Sequence, residues 1–420
     1  MLRRALEGLV VIDFTQIVAG PTCTMLLADM GADVIKVEPP EGELGRKLGP
    51  GWIGNDRVVF HAVNRNKRGI SLDLKSSGDR SAARKLVAQA DVLVESMRPG
   101  VMRRLGLGPE ELCAECPKLI YCSISAYGQH GPYARYAGVD GVLQADTGLM
   151  GLIGGPNTEP AKVQAPIVDA VTGYLACVGV LGKLVQRAKD GLGGHLDISL
   201  MNAAMSLQQS AISDYLATGE LPSKIASAAP YSAPNEAFET ADGWIMVAAY
   251  SGNRWNELCD LLGLPELVAD ERFATSPKRV AHRDAMRRLL MPAFAARTTD
   301  DWLRLLRTRD IFCAPVASYE DLMRHPQVAA ASMIVSMSHP SLGTIRVPGF
   351  PINSAECNAR EHVTAPGLGE HTDETLRRFG LSESEIDAPL RSPLTAAARA
   401  PVNFASPVST AVDAVESRKG

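Results

Sequence analysis

Leu9-Val-Val-Ile-Asp-Phe14, Pro21-Thr-Cys-Thr-Met-Leu-Leu-Ala-Asp-Met30 and Asp33-Val-Ile-Lys-Val-Glu38 decide the fold. The first and third are short apolar runs with β-branched residues and read as buried strands. The middle run carries proline in its first turn and is followed by Gly31, the start and stop marks of a helix. Strand, helix and strand in this order form a βαβ unit, whose strands are parallel and whose crossover is right-handed. The alternation continues outward with a strand over Ile70 to Leu74, a helix from about Gly78 to Gln89, and strands over Asp91 to Glu95 and Leu119 to Ala126. The expected fold class is α/β with a Rossmann-like layer.

A chain of 420 residues is too long for one ordinary core. Residues 1–205 read as the first part of a large domain, and 206–225 as a linker that takes in the end of a helical stretch near Thr218. The Ser-, Ala- and Pro-rich texture runs on from Leu221 to Ala233. Residues 226–327 read as a small α+β domain, opened by the hairpin Phe238-Glu-Thr-Ala-Asp-Gly-Trp-Ile-Met-Val-Ala-Ala249 around Asp242-Gly243 and followed by helices to about Arg309. Residues 328–390 return to the large domain through strand-like Gly343-Thr-Ile-Arg-Val-Pro-Gly-Phe350 and a helix over Asp373 to Phe379. Residues 391–420 read as a tail.

A hydrophobic fraction of 46% and a charged fraction of 21% belong to a globular chain. A net charge of −4 gives no global attraction for nucleic acid or anionic lipid, so neither is an expected partner. No apolar run reads as a membrane span, and Met-Leu-Arg-Arg-Ala-Leu-Glu lacks a signal-peptide core; the expected location is cytoplasmic. The eight cysteines sit mostly in apolar stretches, as buried thiols do. Cys113 and Cys116 have zinc-like spacing without a matching second pair, so no metal is expected.

The first βα turn, Thr15-Gln-Ile-Val-Ala-Gly-Pro21, lacks the Gly-x-Gly-x-x-Gly spacing of dinucleotide sites, which argues against a nicotinamide or flavin enzyme. Asp169 stands where Ala165-Pro-Ile-Val-Asp-Ala-Val-Thr-Gly-Tyr174 enters a long helix with Gly173, Ala176, Gly179 and Gly182 at every third position. That stripe predicts close backbone packing. A carboxylate at a helix start faces unpaired N–H groups and the positive end of the dipole, which predicts an ionised nucleophile; by position alone it reads more often as a cap. Arg46-Lys47, Arg65 to Arg68, and Arg98 with Arg103-Arg104 are local cationic clusters able to hold phosphates, though a solvated surface explains them as well. No histidine pairs with Ser or Cys in a nucleophile motif, and His61, His130 and His371 read equally as loop or helix-end residues.

Taken in order, the motifs resemble the family III CoA-transferases, the group containing formyl-CoA transferase, carnitine CoA-transferase and succinyl-CoA:glutarate CoA-transferase. The pieces are Ala19-Gly-Pro21, Leu27-Ala-Asp-Met-Gly-Ala-Asp-Val-Ile-Lys-Val-Glu38, Asn64-Arg-Asn-Lys-Arg68, Arg98-Pro-Gly100, Tyr127-Gly-Gln129 and Gly131-Pro132. Further on come Gly138-Val-Asp140, Asp169 with Gly173, Asp242-Gly-Trp244 and Leu368-Gly-Glu-His-Thr-Asp373. The resemblance implies an interlocked homodimer whose chains each have a large domain built from both ends of the sequence. It implies that Asp169 is the catalytic nucleophile and that coenzyme A, a substrate rather than a resident cofactor, contacts Ile17, Val18, Leu72, Ser96, Met97 and Arg104. Transfer would run through aspartyl anhydride and aspartyl-CoA thioester intermediates, with backbone N–H groups of nearby glycine-rich turns holding the oxyanions.

The chain looks most similar to succinyl-CoA:glutarate CoA-transferase, so the expected donor is succinyl-CoA and the acceptor a small dicarboxylic acid. Arg46 is assigned to a distal carboxylate, and Asp140 joins it as a substrate-binding position. Val18 replaces a glutamine of formyl-CoA transferase, whose glycine-rich lid has no counterpart before Trp244. The α-methylacyl-CoA racemases share the fold but use a histidine where this chain has Val139, which cannot accept a proton. Racemase or epimerase activity, and a catalytically silent CoA-binding paralogue, are the alternatives.

Overall fold

The computed structural model describes residues 2–352 and 362–386, so the expected tail over 391–420 lies outside the described residues. The chain forms two compact units. One comprises Met1–Thr147, Gln164–Ile212 and the chain from Ala329 onward; the other comprises Gly148–Val163 and Ser213–Val328.

The first unit is built on β1 (Val10–Phe14), β2 (Asp33–Glu38), a two-residue pair β3 (Trp52–Ile53) and β4 (Asp56–Arg57), β5 (Lys67–Ser71), β6 (Val92–Glu95), β7 (Ile120–Ser125) and β8 (Gly194–Ser199). Six of these make one sheet in the order β5-β2-β1-β6-β7-β8, every neighbouring pair parallel. The order reverses between β1 and β6, the switch point at which doubly wound sheets leave a crevice beyond the strand ends. Strands covered on both faces need buried side chains pointing both ways, which is why β1 and β6 are nearly continuous apolar runs, while the buried Lys36 and Glu38 of β2 are paired with other charges.

Ile12 and Phe14 of β1 join a core with Ala82, Leu86 and Val87 of helix Ser77–Val87, together with Leu376 and Phe379 from the far end of the chain. Val11 and Asp13 point to the opposite face, where α1 (Ala19–Asp29) packs. The chain returns through the hairpin Ile334–His339 and Gly343–Pro348, whose Met337, Ile345 and Val347 pack with Ile53. It then reaches the sheet edge, where Ser71 N–H donates to Thr372 Oγ1 (3.0 Å) and Gly69 N–H to His371 Nδ1 (3.2 Å). Both ends of the described chain thus lie in one unit.

The second unit holds the antiparallel strands Asn235–Glu239, Trp244–Ala248 and Phe312–Pro315. Its core stacks Phe238 on Phe294 at 4.5 Å between ring centroids, and the Trp302 indole donates to the Phe294 carbonyl at 2.8 Å. Several features escaped the sequence reading, among them the strands Phe312–Pro315 and Ile334–His339. Gly148–Val163 belongs to this unit rather than to the first. Strand β8 was also unforeseen: it is an edge strand with alternating exposure, flanked by Gly191 and Gly193, and lacks the apolar density of its neighbours.

Candidate active site

Helix α7 runs over Ile167–Asp190 with Pro166 at its cap and no side chain of its own to satisfy its first amides. Asp140, the first residue of helix α6 (Asp140–Asp146), supplies that function from outside. Its Oδ2 accepts from the N–H groups of Val168 (2.8 Å) and Asp169 (3.2 Å), and its Oδ1 from Gln144 Nε2 (2.6 Å). Ile167 N–H reaches Ala165 O and Ala170 N–H reaches Pro166 O, so all four opening amides are engaged. The expectation that free helix-start amides hold the Asp169 carboxylate ionised is therefore corrected. Burial, reinforced by the like charge of Asp140, pushes Asp169 up to about 7. Asp140, only 9% exposed and engaged by these three donors, orients α7, a role different from the substrate-binding one expected of it.

Gly173, one turn after Asp169, fixes where α7 stands. A Cβ there would lie 2.5 Å from the carbonyl oxygen of Ala19 and 2.8 Å from Thr22 Cβ, so the helix touches the first turn of α1 backbone to backbone. The rest of the small-residue stripe does not do this. Gly179 has ordinary contacts and Gly182 none within 4 Å. A three-residue step turns about 300° along an α-helix, so three steps carry the stripe to the opposite side. That outer side is apolar: Tyr174, Leu175, Val178 and Val185 are exposed, Val178 by 63%. Contrary to the reading of the sequence, α7 is long and apolar enough to meet the length and composition of a membrane span. Its inner side nevertheless packs on α1, β7 and β8.

The other expected contacts gather at the carboxyl ends of the strands. Ile17 and Val18 follow β1, Ser96 and Met97 follow β6, and Leu72 follows β5 with its side chain in the core. Ser96 Oγ accepts the Gln16 N–H at 3.1 Å, which ties the loops on either side of the switch point. The N–H groups of Val18, Ala19 and Gly20 have no acceptor among the described residues. Arg104, exposed on the short helix Val101–Arg104, is likewise without a side-chain partner there. Glu95, at the end of β6, accepts the Met97 N–H at 2.7 Å; burial raises it to about 7 against the hydrogen bonds from Ser123 and Met97.

Arg46 lies in a different setting from the one expected of a substrate ligand. Its guanidinium is buried, donating to Glu38 (2.7 Å twice), Asp56 (2.7 Å) and the Pro366 carbonyl (3.0 Å), and it lies over the Phe60 ring. It holds loops together, with four of its five N–H donors committed and the group buried beneath them, which leaves little of it for a substrate carboxylate. The cluster Arg65 to Arg68 is structural in the same way. Arg65 pairs with Asp29 at 2.5 Å, and Lys67 with Asp13 at 3.0 Å and Asn64 at 2.7 Å. Only Arg68 is exposed, and it pairs with Asp33 and Glu374. Composition marks such residues as basic and cannot show that their carboxylate partners lie underneath. Among the described residues no three His, Cys, Asp or Glu side chains converge as a metal site.

The sequence profile described as CoA-transferase family III matches residues 6–372. The chain belongs to that family. This CoA-transferase is 35% identical over 382 residues to the acetyl-CoA:oxalate CoA-transferase of Acetobacter aceti, covering 90% of this chain and 97% of that one. It is 33% identical over 375 residues to the human succinyl-CoA:glutarate CoA-transferase, covering 89% and 86% respectively. The crystal structure of a CAIB/BAIF family protein from Brucella suis superposes with a TM-score of 0.80 at 35% identity, over 89% of this chain and 99% of that one. The enzyme transfers coenzyme A between carboxylic acids.

Proposed function

We propose that Asp169 is the nucleophile of this CoA-transferase and that succinyl-CoA and a small dicarboxylic acid are its substrates. The observation that carries the first part is Asp169 itself: half-buried, with its N–H held by Asp140, and one turn before Gly173, where α7 meets the first turn of α1. Titrating near 7, it is substantially ionised at neutral pH, and it is more basic than an ordinary aspartate and so a stronger nucleophile.

Asp169 attacks the acyl-CoA carbonyl, forming a mixed anhydride and expelling CoA thiolate. The thiolate attacks the aspartyl carbonyl and releases the donor carboxylate, leaving an aspartyl-CoA thioester. The acceptor carboxylate attacks that thioester and again expels thiolate; the thiolate takes the acceptor acyl group, and Asp169 leaves as carboxylate. Each step exchanges acyl groups of similar energy, so positioning supplies the catalysis. Because the α7 amides are engaged, the unpartnered amides of Val18, Ala19 and Gly20 are the oxyanion donors this reading favours, alongside their role in holding CoA. Ser96, Met97, Leu72 and Arg104 complete the CoA contacts.

The dicarboxylic preference rests on similarity to the human succinyl-CoA:glutarate enzyme. Since Arg46 is buried with most of its donors committed to Glu38, Asp56 and Pro366, this reading looks to another cation for the distal carboxylate. The exposed apolar side of α7 supports an interlocked dimer with a second copy of the chain, and the free thiols support a cytoplasmic location. Racemisation gains nothing from the structure, since Val139 is 60% exposed and has no proton acceptor.

The test is transfer from succinyl-CoA to a panel of mono- and dicarboxylic acids, with hydroxylamine trapping of the aspartyl thioester. Asp169→Ala is expected to abolish both turnover and adduct; full activity in that variant removes Asp169 from the mechanism.

A further inference from the structure

We infer that Glu43 is a positioning residue that holds the Thr15–Val18 turn in the shape that receives the acyl-CoA. The inference rests on the proposed contact between that turn and CoA, and goes beyond it by naming what shapes the turn.

Ile17 has φ 67°, in the left-handed region that a β-branched side chain enters only under constraint from its surroundings. The constraint is visible. The Ile17 N–H donates to Glu43 Oε2 at 2.7 Å, and the same oxygen accepts from Gly45 N–H at 3.0 Å. Glu43 is only 4% exposed, and its other oxygen lies 3.4 Å from Lys36 Nζ. Lys36, fully buried, donates to the Thr15 carbonyl at 3.0 Å. One ion pair therefore grips the turn at two peptide groups, a carbonyl before the left-handed residue and the N–H of that residue.

Two further side chains complete the grip. Asp13 Oδ1 accepts the Thr15 N–H at 2.9 Å and Ser96 Oγ the Gln16 N–H at 3.1 Å. Glu43 differs from these in reaching the strained residue itself, and in coming from the loop after β2. That loop is anchored in turn by the Glu43 N–H on Glu38 Oε2 at 3.1 Å and by Arg46 on the same carboxylate. Gly45 leaves room for this geometry, because a Cβ there would stand 2.9 Å from Glu43 Oε1 and push that carboxylate off its partners. With these three N–H groups satisfied from inside, the next three, on Val18, Ala19 and Gly20, are left without an acceptor. A turn already in its bound shape saves the ordering that CoA would otherwise have to impose.

Glu43→Gln tests this. The amide keeps the length, but one end of it is now a donor, so it opposes either the Ile17 N–H or the Lys36 ammonium. The expected result is a rise of about tenfold in KM for acyl-CoA and in the Kd for CoA by calorimetry. kcat should fall as well, because the same turn presents the Val18 to Gly20 amides as oxyanion donors, whereas the KM for the acceptor acid should stay within roughly twofold, because Asp169 is not displaced. Ile17→Gly in the Glu43→Gln background should recover much of the loss, since glycine adopts positive φ without strain. CoA affinity equal in wild type and Glu43→Gln overturns the inference alone. A wild-type protein that binds no CoA overturns the reading of the site with it. Where Glu43→Gln fails to fold, amide exchange on the wild-type protein decides: slow exchange at Ile17 supports the grip, and exchange at unprotected rates refutes it.

Discussion

Gly173→Ala is the sharpest mechanical test of how Asp169 is placed. The added Cβ would lie 2.5 Å from the Ala19 carbonyl oxygen and 3.0 Å from Thr22 Cγ2. A weak carbon-to-oxygen contact sits at about 3.3–3.6 Å, so α7 must retreat from α1 by about 1 Å. Neither side yields cheaply, because the nearest atom is backbone in the first turn of a buried helix. Asp169 is four residues earlier on the same face and moves with the helix. Overpacking of this kind costs about 1–3 kcal/mol, partly offset by the roughly 0.5–1 kcal/mol that alanine gains over glycine within a helix. The net stability loss is therefore small, about 0–2.5 kcal/mol, whereas a misplacement near 1 Å lowers turnover by about 10²-fold. The assay pairs urea denaturation with steady-state transfer under saturating acyl-CoA. A variant with wild-type kcat would show that the contact does not set the position of the nucleophile.

Asp140→Asn should move the acid limb of the kcat profile to lower pH, because it removes a like charge beside Asp169 while keeping an acceptor for the α7 amides; an unmoved limb refutes the coupling. Asp169→Asn should be more stable than wild type at pH 8 by about 1 kcal/mol or more, and the gap should shrink toward pH 5. The sign follows from a folded-state value raised to about 7: the contribution of Asp169 is fully present below its unfolded value and is lost as pH rises through 7, and asparagine has no such loss. Thermal midpoints at the two pH values measure it, and an equal gap refutes it. Asp13→Ala leaves Lys67 and Lys36 buried beside a missing carboxylate and should cost about 3–5 kcal/mol by urea denaturation.

The alternation of apolar runs with capped helices determined the parallel sheet, because local patterning selects strand and helix and chirality leaves one crossover hand. The strand Gly343–Pro348 and the helix Thr372–Arg378 were legible in the same way. The ordered motifs likewise determined the family, and with it the candidate nucleophile. Side-chain roles were another matter. Arg46, Arg65 and Lys67 read as exposed cations, free for an anion or for solvent, yet each is buried against a carboxylate, that of Arg65 and Lys67 from a distant stretch, and charge type does not encode burial. Asp169 read as a cap facing free amides; only the tertiary structure brings Asp140, 29 residues earlier, onto those amides and so raises the group instead of lowering it. The grip of Glu43 on Ile17 has no local signal at all, since it depends on two loops meeting at the ends of β1 and β2. Periodicity and motif are properties of the chain, whereas a pKa and a strained turn are properties of what the fold places within about 3 Å.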